Sequence, residues 1–596
     1  MSAYTAPLAD MEFALREIAG MEDLAELPKF AHAESDLTHQ ILEEAGKFAA
    51  QVLNPLDQGG DEVGAQIENG VVRTPPGFAD AYRQFGEAGW ISLQFEEAHG
   101  GQSLPSVLQV ATGEMWNAAN MSFALCPLLN QGASDVLERR GTPEQQEIYL
   151  KRMIAGEWTG TMNLTEPQAG TDLGSIRTKS ERQGDHYLIK GQKIYITFGE
   201  HDMSENIIHL VLARSPDGPP GPKGLSLYLV PKFLVNPDGS LGRRNDLRAV
   251  SLESKIGIHG SPTCVMSYGD NEGAVGYLIG EENKGLENMF IMMNNARLMV
   301  GLQGVSIADR AYQQAAQYAK DRVQSRAVEG SAGPVAIIQH PDVRRMLMDM
   351  RAHVEAMRAL TYLTAAELDR GAADPDPERA AAAQAMAELL IPVVKAYNTD
   401  RGVEIASTNV QIHGGMGFIE DTRAGQLYRD SRILPIYEGA NGIHALDLVG
   451  RKVARDGGAA AARLIAQARA EVDALTGDSD ARLGRIADRL ATALDNLEAC
   501  TDWVVTTMRD DPRRGASGSS PYLKLMGVTV GGWLLAKGAG IARRALDAGE
   551  GDGAFLDDKI TTAEFFAQHH LSQVPALAIQ VTEGGDTVLA LDEARF

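Results

Sequence analysis

Apolar positions in the first 158 residues recur mostly at helical spacing. Residues 36–53 place them on one face of an amphipathic helix that Pro55 is set to close, and residues 107–125 resume the pattern after a loop at 99–105. Near Met162 the period changes. The runs 187–189, 194–197, 207–212 and 225–230 are short, rich in β-branched and aromatic residues, and bounded by Gly, Pro, Asp and Asn clusters such as the one at 215–224. They predict a small antiparallel sheet domain. Long helices return after residues 280–286: Leu347, Met350, Val354 and Met357 form one stripe, and 378–413 reads as a further long helix. The small-residue stretch 455–464 predicts a link between domains, and the tail beyond it reads as more helices with Trp503 and Trp533 as core anchors. The expected fold class is mainly α with a central β domain. Its divisions fall at 1–160 (helical), 161–281 (β), 282–455 (helical bundle) and 456–596 (an additional helical domain).

Composition narrows the functions open to such a chain. Its 596 residues suffice for several domains of roughly 100–200 residues each. A hydrophobic share of 44% with 23% charged residues is that of a globular protein and not of a disordered one. The net charge of −25 argues against nucleic acid and against an anionic membrane surface as partners, because both need a basic face. A few local arginines or helix N-termini still suffice to hold an anionic substrate. Cys126, Cys264 and Cys500 lie far apart and frame no disulfide, so reduced thiols in a cytoplasmic protein are expected. No signal peptide is legible at the N-terminus, and no apolar run approaches a membrane span, so no membrane insertion is expected.

Several familiar motifs are absent or false. His-Gly-Gly-Met-Gly-Phe at 413–418 follows a helical pattern, not a strand, and lacks the acidic partner of a dinucleotide fingerprint. The glycines at 538–543 fail the same test, and no phosphate-binding P-loop is present. Among thirteen histidines none sits in a zinc-like spacing, and the adjacent His569 and His570 are poorly placed to chelate one ion, so no metal is expected.

The informative segment is Met-Asn-Leu-Thr-Glu-Pro-Gln-Ala-Gly-Thr-Asp-Leu-Gly-Ser at 162–175. Thr165 and Thr171 offer hydroxyls, and its turns free backbone N–H groups that can meet a flat heterocycle's edge and a phosphate. By itself the pattern is a structural turn. With Lys-Ile-Tyr-Ile-Thr-Phe-Gly-Glu-His at 193–201 and Arg-Asp-Ser-Arg-Ile-Leu-Pro-Ile-Tyr-Glu-Gly-Ala-Asn-Gly-Ile at 429–443, in this order, it resembles the acyl-CoA dehydrogenase family over residues 35–450. The length, the segments 259–264 and 437–452 and the helical tail resemble a bacterial subgroup that carries an additional C-terminal domain and acts on 3-methylmercaptopropionyl-CoA or similar short and medium acyl-CoA thioesters.

The resemblance implies an FAD-dependent enzyme with electron-transfer flavoprotein as acceptor. Met162, Leu164, Thr165 and Thr171 would wrap the flavin, Tyr195, Ile196 and Thr197 would cover its face, with Tyr195 where Trp is common, and Ala440 and Gly442 would complete the contact. Arg322 matches an arginine that reaches the FAD pyrophosphate of a neighbouring subunit, which implies a homodimer; Gln324 and His340 lie toward the adenine. Around them the chain departs from the family, with Val323-Gln324-Ser325 after Arg322 and Pro341 in place of Gln. Gln411, Gly414 and Gly415 match the helix end where the diphosphate meets backbone amides, although a helix C-cap explains the glycines equally well.

Abstraction of an α-proton needs a base, and the resemblance places it at Glu438; where some relatives carry it elsewhere this chain has Ala296, before Arg297. Desolvation by acyl chain and flavin raises a carboxyl's pKa toward that task. The thioester oxygen would be held by an FAD ribitol hydroxyl and the base's own N–H, with Gly439 allowing close approach and Thr171, Asn294 and Arg297 on the substrate side. Three alternatives stay open: an acyl-CoA oxidase using dioxygen, a flavin-bearing DNA-binding member of the superfamily, and a non-catalytic scaffold.

Overall fold

The period-two segments pair into one eight-stranded sheet in a computed structural model that describes residues 4–596. The chain divides into two compact units, Glu44–Met299 and a second built from the residues up to Glu43 together with Val300–Phe596.

The strands of this sheet, all in the first unit, are β1 (Trp158–Asn163), β2 (Lys179–Gln183), β3 (His186–Thr197), β4 (Asn206–Arg214), β5 (Leu225–Pro231), β6 (Leu247–Leu252), β7 (Thr263–Tyr268) and β8 (Ala274–Ile279). They lie in the order β6-β7-β3-β8-β5-β4-β1, with β2 beside β3 and β4. Neighbours are antiparallel except that β1 and β2 run parallel to β4, Thr161 opposite His209 and Lys179 opposite Arg214. The runs expected at 187–189 and 194–197 are one strand, β3. Gly191, Gln192 and Lys193 break its hydrophobic pattern, yet Lys193 is wholly buried. At Gly191, with φ +157°, a Cβ would fall 2.4 Å from the Thr178 hydroxyl, so no larger residue fits. One core gathers Ile189, Val211, Tyr228, Met266 and Tyr268.

Two sequence expectations need correction here. The helix starting at Ser35 does not close at Pro55; it widens into a π-type turn at Ala49–Leu53 and continues as Asn54–Val63 with Pro55 in that segment's first turn. The wider π-type turn just before Pro55 accommodates a residue that lacks the N–H of an ordinary i→i−4 bond. The pattern at 107–125 belongs to two helices, α1 (Ser106–Ala119) and α2 (Met121–Arg140). Asn120 breaks them at φ −160°, and its side chain accepts the Phe123 N–H at 3.0 Å as the cap of α2.

The helix α3 (Gly285–Asp321) begins at the end of the first unit's sequence and continues into the second. There follow α4 (Pro341–Ala373), α5 (Pro377–His413), α6 (Ala424–Ser431), α7 (Asn441–Asp447), α8 (Ala459–Leu475), α9 (Ala481–Asp510), α10 (Ser519–Ala548) and α11 (Gly553–His569). The stripe Leu347, Met350, Val354 and Met357 is buried, and α4 packs along α5 and α10. The α10 helix is long and apolar enough to cross a membrane, but 89% of its apolar window is buried in this unit. Trp533 is a core residue of α10, whereas Trp503 on α9 is only half-buried and is not the anchor expected. Residues 456–596 pack within this second unit. The segment 455–464 leads into α8 within the same body, and the tail is tied to the N-terminus. Lys559 pairs with Asp10 and with Glu355 (2.9 Å), the Lys537 ammonium donates to the Ile18 carbonyl (3.2 Å), and Arg370 donates to the Ala19 carbonyl (2.6 Å). All three cysteines are buried and free.

Two fully buried histidines make the first unit acid-sensitive. The His201 Nδ1 accepts the Met203 N–H (3.1 Å), so its proton sits on Nε2, 2.9 Å from the Thr159 hydroxyl. Burial, then the Lys232 charge, push His201 down to about 3, and burial with Lys232 and Arg244 does the same to His209. The folded-state values lie below the ordinary 6.5, so the stability they contribute is complete above pH 6.5 and is lost as pH falls toward 3. Between pH 7.5 and 5 each should cost about 2 kcal/mol at about 1.4 kcal/mol per pH unit below the unfolded pKa. The expected result is a lower urea midpoint at pH 5, with a smaller drop in His201→Gln; equal drops in the two proteins would refute it.

Candidate active site

In the first unit, residues 162–175 form a strip of turns pinned to β3. The Ile194 N–H donates to the Thr165 carbonyl (2.9 Å), the Thr161 hydroxyl donates to the Thr197 carbonyl (2.7 Å), and Glu166 and Ala169 exchange backbone bonds at 3.0 and 2.9 Å. Beneath the strip the Lys193 ammonium donates to the Glu166 carboxylate (2.9 Å) and to the Leu164 carbonyl (2.8 Å). The same carboxylate accepts the N–H groups of Arg177 (2.7 Å) and Thr178 (3.0 Å). Burial pushes the Glu166 carboxyl up, but Lys193 and these donors outweigh it and hold it at about 2. Burial pulls Lys193 down to about 8 against the Glu166 charge. Both groups are therefore charged at neutral pH.

The far side of the strip is open. Thr165 and Met162 are half-buried and Thr171 is exposed, while Leu164 is buried. Along the end of β3 the pleat turns Ile196 inward, 2% exposed, and leaves Tyr195 61% exposed with Thr197 half-buried. Tyr195 and Phe198 have φ of +61° and +50°, a left-handed backbone at which most residues are strained. An accessible aromatic ring, hydroxyls and a braced turn suit a flat, hydrogen-bonding heterocycle. At the start of α3, Arg297 donates to Asn294 Oδ1 (3.4 Å) and lies over the Phe290 ring, so these two predicted residues do share a helix face.

In the second unit Arg322, Gln324 and His340 come together. A hairpin-like return pairs the Gln324 N–H with the Val335 carbonyl (2.9 Å) and the Ile337 N–H with the Arg322 carbonyl (2.8 Å). The His340 Nε2–H donates to the Gln324 carbonyl at 2.8 Å, and Arg322 and Gln324 are exposed. The unexpected Pro341 occupies the first turn of α4, where proline fits. Gln411 is exposed near the end of α5, and Gly414 ends that helix at φ +60°. A Cβ at Gly414, Gly415 or Gly442 would meet nothing within 4 Å, so these backbones present open space.

Glu438 lies half-buried in the segment between α6 and α7, with φ +57°, and Gly439 follows at φ +94°. Around them the His444 Nε2–H donates to the Glu438 carbonyl (3.0 Å) and the Asn441 N–H to the Pro435 carbonyl (3.0 Å). The Tyr437 hydroxyl donates to Gln303, and burial followed by the Glu438 charge raises the phenol's pKa. Ala440 is exposed, one residue from Gly439. A Cβ at Gly439 would fall 2.9 Å from His444, so glycine is required there on two counts.

Sequence reasoning missed the roles of Lys193 and Lys395, both wholly buried. For Lys395 the available signal was a lysine inside an otherwise apolar run; Lys193, after Gly191 and Gln192, carried none. It also missed that the fold carries His570 to α4, where Asp349, His353 and His570 bring one candidate ligand atom each within 4.8 Å of one another. His570 Nε2 is 2.9 Å from the Asp349 carboxylate, and burial, then His570, with Arg401 and Lys524, hold His353 well below its ordinary pKa.

Four family descriptions match in sequence: acyl-CoA dehydrogenase N-terminal domain at residues 35–157, middle domain at 161–270, C-terminal domain at 283–454, and acetyl-CoA dehydrogenase C-terminal like at 464–592. The chain is 50% identical over 588 residues to the 3-methylmercaptopropionyl-CoA dehydrogenase of Ruegeria pomeroyi, covering 98% of this chain and 99% of the relative. Among solved structures, Caenorhabditis elegans ACDH-11 in complex with C11-CoA matches with a TM-score of 0.78 at 19% identity, covering 98% of this chain and 97% of that one. An acyl-CoA dehydrogenase from Bacillus anthracis complexed with FAD matches with a TM-score of 0.73 at 21% identity, covering 96% and 91%. The chain belongs to the acyl-CoA dehydrogenase family and is an FAD-dependent oxidoreductase of acyl-CoA thioesters.

Proposed function

We propose that the substrate is 3-methylmercaptopropionyl-CoA or a similar short or medium acyl-CoA, oxidised to the 2-enoyl-CoA with Glu438 as the base. The observation that carries the base assignment is the turn at Glu438 and Gly439, a non-glycine residue held at φ +57° by bonds to its own loop and next to a glycine that nothing larger replaces. The substrate class is supported by 50% identity along almost the whole length of the Ruegeria pomeroyi enzyme, which also suggests a role in dimethylsulfoniopropionate degradation.

In this reading Glu438 takes the α-proton, and the acyl chain strengthens the base by excluding water from its carboxylate. FAD, when bound, accepts the hydride from the β-carbon. Met162, Leu164, Thr165, Thr171, Tyr195, Ile196 and Thr197 would hold the flavin, with Ala440 and Gly442 as further flavin residues. Gln411, Gly414 and Gly415 would serve the diphosphate, and Arg322, Gln324 and His340 the pyrophosphate and adenosine of a neighbouring subunit's cofactor. Asn294, Arg297, Thr171 and Gly439 would serve the thioester. Electron-transfer flavoprotein reoxidises the enzyme, and the three buried thiols suit a reducing cytoplasm. A homodimer agrees with the exposed apolar run after α5, where Phe418 is 90%, Met416 47% and Ile419 46% exposed.

Four measurements test this reading. Anaerobic mixing with a panel from 3-methylmercaptopropionyl-CoA through straight chains to phenylpropionyl-CoA should bleach the flavin with at least one member. Glu438→Gln should keep its FAD and abolish bleaching, and retained bleaching would remove Glu438 as the base; peroxide release in air would favour an oxidase. Removing one partner of the buried pair, as in Lys193→Met or Glu166→Gln, should cost about 3 kcal/mol or more and release FAD on dilution. The double variant should regain most of that loss, and two harmless single variants would show that the pair does not brace the strip. Sedimentation should give a dimer that Phe418→Asp dissociates, and a monomeric wild type would overturn the subunit-bridging role of Arg322.

A further inference from the structure

A lysine stands behind the turn that carries Glu438. Lys395 lies on α5 with none of its surface exposed. Its ammonium donates to the Gly439 carbonyl at 2.7 Å and to Asn441 Oδ1 at 2.9 Å. Asn441 is in turn locked to α5: its Nδ2 donates to the Ala396 carbonyl (3.1 Å), the Thr399 hydroxyl (2.9 Å) and the Asp400 carboxylate (2.8 Å). Burying an ammonium is unfavourable unless its protons find acceptors, and a methionine would fill the same space without that penalty. Here two of the acceptors belong to the segment that follows Glu438.

The geometry of that segment makes the contact consequential. Glu438 and Gly439 are consecutive left-handed residues, a pair that an isolated peptide seldom holds. The two carbonyls of the pair are fixed from outside, that of Glu438 by His444 at 3.0 Å and that of Gly439 by Lys395. Because each peptide is planar and trans, fixing a carbonyl also fixes the opposite direction of the next N–H. The ammonium is, besides, a positive charge one peptide away from the residue proposed as base; Asp400, across Asn441, offsets part of that charge, and what remains favours a carboxylate over its acid.

We propose that Lys395 is a positioning residue for the reaction: it holds the Glu438–Gly439 turn in its left-handed form through the Gly439 carbonyl and keeps the Glu438 carboxylate ionised and aimed. The proposal rests on the reading of Glu438 as the base. The experiment uses the FAD-loaded full-length protein and the acyl-CoA that bleaches the wild type fastest, with the bleaching rate followed from pH 5.5 to 9. Lys395→Met should retain FAD and bleach on the order of 100-fold more slowly, as expected for a misplaced catalytic group. Its acid limb should move upward by about one pH unit, because the base loses a neighbouring cation. Lys395→Arg, which keeps charge and donors, should recover most of the rate and the original limb. Wild-type rate and an unmoved limb in Lys395→Met, beside an inactive Glu438→Gln, would overturn the positioning role alone. Unimpaired bleaching by Glu438→Gln would instead remove the base and the inference with it. Should Lys395→Met not retain FAD, Lys395→Gln answers the same question: it keeps a donor and loses the charge, so the acid limb should still rise, and an unmoved limb overturns the proposal.

Discussion

A single buried ammonium, that of Lys193, ties the strip of turns at residues 162–175 to the sheet. It lies in the middle of β3, where the hydrophobic pattern would call for an aliphatic side chain, and it reaches back across 27 residues to Glu166 and across 29 to the Leu164 carbonyl. Two further backbone N–H groups converge on the same carboxylate. Loops ordinarily have more freedom than the elements they join. Here the loop's own acid is sunk into the sheet domain, so Thr165 and Thr171 sit on a surface whose backbone has little room to shift. A braced first layer of this kind is what a cofactor site requires, because hydroxyls that wander by an ångström lose most of their value as orienting groups.

The helical unit solves the same problem in a different way. At Glu438 the backbone itself is held in a disfavoured region, and the side chains of α5 and α7 oppose its relaxation. Both solutions place a lysine out of water beneath a functional loop and use carbonyl groups as acceptors. Strain or burial at a reactive position persists only when surrounding contacts over-determine it, and the Asn441 network with α5 supplies them in number.

Much of this was legible in the chain. The stripe on α4 is buried as its spacing predicts, although residues 352–366 are buried on every face, and the helix predicted at 378–413 differs from α5 by one residue at its start. The segments at 162–175 and 429–443 were recognisable as motifs of the family because local chemistry and spacing travel together there. What stayed hidden depended on distance along the chain. Asn120 carries no mark, among apolar neighbours, that it would cap a second helix. The continuity of β3 was masked by the residue that matters most in it, and the parallel placement of β1 beside β4 is a topological choice with no local signature. The approach of His570 to Asp349 spans more than two hundred residues, and adjacent histidines gave no hint of it.

The threading of the chain through its two bodies sets an order for its synthesis. Everything needed for the Glu44–Met299 body leaves the ribosome as one continuous stretch. The other body has its opening residues translated first, yet Asp10, Ile18 and Ala19 find their partners at Lys559, Lys537 and Arg370. Ala19 meets Arg370 after 351 residues, but Ile18 and Asp10 wait for more than five hundred. Phe13, which packs edge-on against Phe555, waits as long, and a premature stop before α11 would leave Asp10 and Phe13 without these partners for good.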